Sequence, residues 1–272
     1  MKNKILIFGK GFIGSRLQEE LSCDISDANI SSFNEAQEEV EKTKPQVIIN
    51  CIGFVGRNVD DCELDIDKTL ASNTFVPLIL GEIAARNNIR LVHLSSGCIY
   101  RFDYSKDEPI DESKAPDFFD LYYSRTKIYA ERALNALTEK YPILIVRLRI
   151  PLDDRPHPRN LLTKLLTFKK VIDVPNSVTY LPDFFRALKH LIEIEATGIY
   201  NVVSKGALRY PELLDIYKKY VPGFNYQAID RKDLNLVRTD LILSTAKLES
   251  TGFKIREIHE VLEECVQNYL KY

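Results

Sequence analysis

The sequence predicts an α/β protein built on a doubly wound parallel sheet, and three observations carry that expectation. Short apolar runs alternate with longer stretches of helical periodicity. The runs are apolar throughout rather than alternating, as strands covered on both faces require. A glycine-rich turn, Gly9-Lys10-Gly11-Phe12-Ile13-Gly14, joins the first run to the first helical stretch.

Residues 4–8 read as the first strand, and an amphipathic helix begins at about Phe12. Asp24 and Asp27 follow that helix so closely that the second strand must be very short or missing. A Glu-rich helical stretch then leads through Pro45 to a strand at 47–52, and apolar positions at helical spacing over 69–87 complete another unit. Residues 91–94 and 143–148 are the next buried strands, with a helix over 122–139 between them. Past Pro151 the units shorten and prolines become more frequent: helices near 160–168 and 182–195, a strand at 199–203, a helix at 210–220. We therefore expect a dinucleotide-binding domain over 1–150 and a smaller substrate-binding region over 151–272, packed as a lid on the carboxyl ends of the strands, with 199–203 returning to the sheet. No internal repeat or low-complexity segment interrupts this pattern.

Composition narrows the function. The 272 residues are 45% hydrophobic, with 37 Lys and Arg against 39 Asp and Glu. That is enough apolar material for a substantial core, and it argues against disorder. A net charge of −2 gives no general attraction to nucleic acid or anionic lipid, and no local basic patch supplies one. No apolar run approaches the ~20 residues of a membrane span, and the opening MKNKILIFGKG lacks the apolar centre of a signal peptide. A cytoplasmic protein binding neither nucleic acid nor membrane is expected. The five cysteines form no CxxC pair and the four histidines are scattered, so no metal site is expected and the thiols act as thiols.

The glycine pattern GxGxxG stands between a strand and a helix, the context that gives it meaning. Gly9 permits a tight turn, Gly11 lets a diphosphate approach the backbone, and Gly14 lets the helix lie close to the sheet. The helix amides after Gly11, from Phe12 and Ile13 onward, would face the phosphates. A ribose-holding acid is usually found ~20 residues further on, and here its place is unclear. That favours NADPH over the alternative, NADH, with Lys10 or Arg16 to meet the 2′-phosphate; both read equally well as solvated surface charges.

Tyr123 and Lys127 form YxxxK on a predicted helix, a spacing that puts both side chains on one face. A phenol becomes an acid–base group near neutrality only if a cation favours phenolate, and Lys127 would supply one. Joined to GxGxxG and to Ser95-Ser96 at a strand end, the pair resembles the extended short-chain dehydrogenase/reductase superfamily, with its Rossmann fold and its Ser/Thr, Tyr and Lys acting on a carbonyl or alcohol. Ser96 matches the Ser/Thr position.

Further segments sharpen the resemblance: Asn50-Cys51-Ile52-Gly53, Asn58-Val59-Asp60-Asp61-Cys62-Glu63, Asn73, Ser95-Ser96-Gly97-Cys98-Ile99-Tyr100, Arg147-Leu148-Arg149-Ile150-Pro151, Pro158-Arg159-Asn160 and Val174-Pro175-Asn176-Ser177. These are similar to the bifunctional nucleotide-sugar 3,5-epimerase/4-reductases of plants and giant viruses, which convert UDP-4-keto-6-deoxy-D-glucose to UDP-L-rhamnose. Matching segments run from Gly9 to about Asn201. The resemblance implies a cofactor lined by the glycine loop with Asp24, Cys51, Gly53, Asn73, Tyr123 and Lys127. It implies a nucleotide sugar met by Val55, Ser96, Gly97, Cys98, Tyr123, Arg149, Arg159, Asn160 and Asn176. It further implies that Cys98 and Lys164 exchange the protons at C3 and C5, and that the helices near 69–87 and 122–139 pair in a homodimer.

Several of these residues have plainer readings. Cys98 could be a buried hydrophobe, Lys164 a solvated lysine, Arg159 an exposed loop arginine and Asn160 a helix N-cap. Arg147 and Arg149 flank Leu148 and point oppositely to it, one for the substrate diphosphate and the other for an ion pair. Single-function dTDP-4-dehydrorhamnose reductases share the Tyr/Lys pair but usually carry Thr-Asp-Tyr where Ser96-Gly97-Cys98 stands. A reductase alone, and a non-catalytic regulatory subunit of the same fold, are the alternatives.

Overall fold

A six-stranded sheet with strand order β2-β1-β3-β4-β5-β9 organises the first part of the protein. The computed structural model describes residues 4–272. In chain order its elements are β1 (Ile5–Phe8), α1 (Phe12–Leu21), β2 (Asp24–Ser26), α2 (Phe33–Thr43), β3 (Val47–Asn50), α3 (Asp61–Leu64), α4 (Ile66–Leu70), a π turn (Ala71–Phe75), α5 (Val76–Asn87), β4 (Arg90–Ser96), α6 (Tyr122–Asn135), β5 (Ile143–Leu148), β6 (Pro151–Leu152), α7 (Leu161–Leu165), β7 (Lys170–Ile172), β8 (Thr179–Tyr180), α8 (Leu181–Glu193), β9 (Gly198–Asn201), α9 (Tyr210–Tyr220), β10 (Gln227–Ile229), α10 (Ala246–Ser250) and α11 (Ile258–Tyr269).

The chain divides into two units, but not at one boundary near residue 150. The first comprises 1–99, 116–147 and 189–200; the second comprises 100–115, 148–188 and 201–272. The chain crosses between them five times. A single cut after 150 misses this because segment 100–115, with no periodicity of its own, folds with the later residues.

In the first unit β1 pairs in parallel with β2 on one side and β3 on the other, and β3 pairs in parallel with β4. The strand order therefore reverses between β1 and β3, where open α/β sheets leave a crevice beyond the strand ends. β1 and β3 read ILIF and VIIN because both faces are covered. Leu6, Phe8, Val40, Ile48, Leu80, Ile83, Leu91, Leu134 and Ile145 form one core on a face of this sheet. A capping box starts α2: the Ser32 hydroxyl accepts from the Glu35 amide while the Glu35 carboxylate accepts from the Ser32 amide. The stretch 69–87, which reads as one helix, is α4, a π turn and α5. β2 has three residues, and the strand anticipated at 199–203 is β9 at the sheet's far edge.

The second unit has two parallel two-stranded sheets, β10 with β7 and β6 with β8. Its core gathers Leu162 and Leu165 of α7, Leu213 and Leu214 of α9, and Val261, Leu262, Cys265 and Val266 of α11. Among the described residues no helix is long and apolar enough to cross a membrane, and no cluster of His, Cys, Asp and Glu is arranged to hold a metal ion.

Gly14 makes the helix-to-sheet contact of the first unit quantitative. A Cβ there would lie 2.0 Å from the Gly9 carbonyl oxygen, a backbone atom that cannot move without shifting β1's end. We expect Gly14→Ala to lose about 2–4 kcal/mol of stability in urea unfolding, while Gly11→Ala, where a Cβ meets nothing within 4 Å, unfolds within about 1 kcal/mol of the parent. Equal midpoints for the two variants would contradict this packing.

Candidate active site

The carboxyl ends of β1, β3 and β4 carry the chemistry of the first unit. Gly9 turns the chain out of β1 with φ +102°, and a Cβ on it would meet the Cys51 carbonyl carbon and the Ile52 nitrogen at 2.7 Å. Gly11 is the N-cap of α1 and offers no side chain to its first turn, so the amides of Ile13 and Gly14 lack an intrahelical acceptor. Above Gly11 lies open space. Bare backbone at a helix N-terminus, with room for a group that a Cβ would obstruct, fits a dinucleotide diphosphate.

The acid expected at the cofactor, Asp24, stands back from the glycine loop. Asp24 pairs with Leu6, two residues before the end of β1, so it stands at the wrong end of β2 for a ligand at the glycine loop. Asp27, just past β2, is the acid beside the loop, and its carboxylate accepts from Lys10 Nζ at 2.8 Å. Both groups are exposed. Arg16 forms an ion pair with Glu19 at 3.3 Å. A three-residue strand gives too little pattern for its register to be read in advance.

The loop after β3 is held from beneath by Asn73. Its Oδ1 accepts from the Phe54 amide at 2.8 Å, while its Nδ2 donates to the Phe54 carbonyl at 2.9 Å and to Thr126 Oγ1 at 3.3 Å. Asn73 is fully buried. Thus it shapes the loop that includes Gly53 and Val55, rather than facing a cofactor directly. The π turn is what aims it: the wider turn brings Asn73 and Thr74 together onto α6, where Thr74 Oγ1 donates to the Thr126 carbonyl at 2.9 Å. Cys51 lies against Gly14, and burial pushes its thiol far up; Cys62, also pushed up by burial, donates to the Phe54 carbonyl at 3.6 Å.

Ser96 ends β4, and its Oγ accepts from the Cys98 amide at 3.1 Å. The Cys98 carbonyl in turn accepts from Ser124 Oγ at 2.6 Å. The turn Ser96-Gly97-Cys98 is thereby fastened to the first turn of α6, next to Tyr123. One turn along α6, Lys127 is 5% exposed; its Nζ donates to the Leu94 carbonyl at 3.3 Å and lies 3.3 Å from where a Gly53 Cβ would be. Burial pushes Lys127 down to about 8, against the opposing charge of Glu131. Ser96, Cys98, Tyr123 and Lys127 therefore share one end of the sheet with the glycine loop.

The two arginines separate cleanly. Arg147, in the first unit, forms a buried bidentate pair with Glu131, with Nη2 to Oε1 at 2.6 Å and Nε to Oε2 at 3.1 Å. It is the structural one. Arg149, in the second unit, is 1% exposed: its Nη2 and Nε donate to Asn176 Oδ1 at 2.7 and 3.0 Å, and its Nη1 donates to Thr239 Oγ1 at 3.0 Å. Asn176 Nδ2 donates to Asp240 Oδ1 at 2.8 Å. Both residues were expected at the substrate; both are buried in this network. Asn160 is likewise buried as the N-cap of α7, accepting from the Leu162 and Asp153 amides and donating to the Asp153 and Arg155 carbonyls. Its alternative reading prevails. Arg159 remains exposed beside half-buried Lys164, whose ammonium is pushed down by burial and then by the Arg159 charge.

A model of the RmlD substrate-binding domain matches residues 3–176. The chain belongs to that family. The bifunctional dTDP-4-dehydrorhamnose 3,5-epimerase/dTDP-4-dehydrorhamnose reductase of Arabidopsis thaliana is 28% identical, covering 96% of this chain and 91% of the plant protein. The crystal structure of the L780 UDP-rhamnose synthase of Acanthamoeba polyphaga mimivirus superposes with a TM-score of 0.90 at 25% identity, over 98% of this chain and 99% of the other. The dTDP-4-dehydrorhamnose reductase of Bacillus anthracis, solved with NADP, gives 0.84 at 21% identity over 100% and 99%, a likeness of fold. Against the trifunctional Arabidopsis proteins the chain spans about two fifths of their length.

In this RmlD-family chain the supports that sequence reasoning missed are the roles of Ser124 and Glu131 and the bonds by which Asn73 holds Phe54. Glu131 lies four residues after Lys127, a spacing visible in the sequence, but its partner Arg147 comes from another strand. The cost of burying Lys127 can be measured. A lysine held at about 8 rather than 10.5 corresponds to roughly 3 kcal/mol against folding below pH 8, a penalty that fades as pH rises from about 8 towards 10.5. Lys127→Met should therefore melt higher than the parent at pH 6.5, with the gap closing by pH 10. A lower melting temperature at pH 6.5 would refute the penalty.

Proposed function

We propose that the protein converts UDP-4-keto-6-deoxy-D-glucose to UDP-L-rhamnose, epimerising C3 and C5 and then reducing C4 with NADPH. The observation that most supports this is the fastening of Ser96-Gly97-Cys98 to α6 through the 2.6 Å bond from Ser124 to the Cys98 carbonyl. It gathers a hydroxyl, a thiol, a phenol and a buried cation at one sheet end. The plant epimerase/reductase and the viral synthase, matched along nearly their whole lengths, support the same substrate class.

NADPH, when bound, supplies the hydride for C4. Gly11 and the α1 amides hold its diphosphate, and Lys10 with Asp27 stands at its adenosine end. Lys127 holds the nicotinamide ribose and, as a cation, favours the phenolate of Tyr123. Tyr123 and Ser96 donate hydrogen bonds to the sugar O4. During epimerisation these donors stabilise the enolate that forms when a proton leaves C3 or C5; during reduction Tyr123 gives its proton to the alkoxide. Cys98 and Lys164 carry the C3 and C5 protons. Lys164 suits the base because burial and Arg159 both make its amine easier to deprotonate. In this proposal the second unit is the substrate-binding one, with Arg159 left for the substrate's phosphates. The cytoplasmic placement expected from the sequence is retained.

Incubation with UDP-4-keto-6-deoxy-D-glucose and NADPH in deuterated water should give rhamnose deuterated at C3 and C5. Cys98→Ala should lower that exchange at least about 100-fold while retaining NADPH consumption on an already epimerised ketosugar. Full conversion of the glucose-configured substrate by Cys98→Ala would remove Cys98 from the epimerisation, and a parent that incorporates no deuterium at C3 and C5 would be a reductase alone. Tyr123→Phe with unchanged NADPH consumption would instead favour the non-catalytic subunit.

We further propose a homodimer through α3–α6, where Leu64, Ile66, Phe75 and Tyr129 are 82%, 50%, 53% and 47% exposed. Exposed apolar side chains on neighbouring helices suit a second copy. Light scattering after gel filtration should give twice the 31.3 kDa chain mass for the parent and the single mass for Phe75→Glu/Tyr129→Glu. A monomeric parent at micromolar concentration would overturn the dimer.

A further inference from the structure

We propose that Glu131 is a positioning residue of this site: its buried carboxylate fixes the turn of α6 that carries Lys127 against the end of β4 and keeps the Lys127 ammonium charged there. The inference rests on the reductase reading above and extends it to a residue outside the Ser96, Tyr123 and Lys127 set.

Three elements of the first unit meet at this carboxylate. From α6, Glu131 stands one turn beyond Lys127. From β4, Ser95 Oγ donates to Glu131 Oε2 at 2.7 Å, and the next residue is Ser96, whose hydroxyl holds the Cys98 amide. From β5, Arg147 donates twice through a planar fork. Glu131 and Arg147 are 2% and 1% exposed. A pair this deep is poor economy for stability alone, because well-packed apolar residues of the same volume commonly do as well. A carboxylate does what they cannot: it places negative charge one turn from Lys127 and a hydrogen-bond acceptor one residue from Ser96.

The other groups around Lys127 carry no compensating charge. His93 of β4, with Asn50 at 3.2 Å from its Nδ1, is held well below its ordinary value by burial and by Lys127, and is neutral. Cys51 after β3 and Cys62 of α3 are both pushed up by burial and remain thiols. Tyr123, one turn earlier on α6, is the phenol that Lys127 serves. Glu131 is the first group that opposes the effect of burial on Lys127.

The test is the pH dependence of ketosugar reduction with NADPH in Glu131→Gln, which keeps the shape and a hydrogen-bonding end but not the charge. Without the carboxylate Lys127 releases its proton more readily, so the alkaline limb of kcat should move about one pH unit lower, with KM within about twofold. Glu131→Asp, which restores charge, should bring the limb back towards the parent's even where kcat is reduced. A folded Gln variant with its limb at the parent's pH overturns the proposal, whatever its melting temperature. Should that variant fail to fold through a stranded Arg147, the double variant Glu131→Gln/Arg147→Met is compared with Arg147→Met, so that only the carboxylate differs: a lower limb in the double variant supports the role, and equal limbs refute it. Failure here differs from failure of the reductase reading, since an incorrect reading would leave the parent itself unable to oxidise NADPH with a ketosugar, and both would then fall.

Discussion

An ammonium taken out of water loses several kcal/mol of hydration, and much of the first unit is arranged around one that has been. Lys127 sits under the loop that follows β3, close enough to Gly53 that a side chain there would press on it, and its proton is shared with the Leu94 carbonyl. The cost is countered from one direction by Glu131, itself tied to β4 and β5. The result is a cation whose charge is easily lost, near enough to neutrality to respond to small changes around it. A solvated lysine on the opposite face of the same helix would hold its proton firmly and stabilise the fold more. In the proposed function it is the chemistry of the Tyr123 phenol that calls for the less comfortable position.

That position has consequences for every element that borders it. The loop after β3 cannot be packed by a bulky side chain at Gly53, so its conformation comes from Asn73, which satisfies both backbone groups of Phe54. Asn73 can do so because the π turn rotates it inward onto α6. The turn after β4 is likewise held by α6, through Ser124. One helix thus sets the relative places of the hydroxyl, thiol, phenol and ammonium, and a shift of α6 would move all four together.

How much of this was legible depends on whether a signal is local. GxGxxG and YxxxK are visible because turn sterics and helix periodicity operate within a few residues, and both stand where the sequence places them. That Arg147 and Arg149 both point away from the side of Leu148 follows from strand parity, but which one meets Glu131 depends on a helix 16 residues earlier in the chain. Asp24 was favoured over Asp27 at the nucleotide because β2 has only three residues, and its register is set by β1 rather than by its own pattern. Asn73 and Asn160 were expected at ligands since an amide suits either role; that both are buried and bonded to backbone emerges only from the fold. Beyond residue 220 no element is legible in the sequence, because β10 and α11 find their partners in β7 and α9, segments that are themselves short.

The second unit illustrates why fully bonded polar side chains make poor readers of a substrate. Arg149 is held by Asn176 and Thr239, and Asn176 by Asp240, which also accepts from Arg231 Nε at 2.9 Å. Arg231 in turn grips the Leu234 carbonyl at 3.1 Å. Each link satisfies the next, so withdrawing any one to contact a ligand would leave a buried donor or acceptor unpaired, at about 1–3 kcal/mol. Arg159 and Lys164 carry no such debt: the first is exposed, the second half-buried. Arg149 and Asn176 thus serve the fold of the second unit, which is why the proposed function assigns recognition there to Arg159 and Lys164.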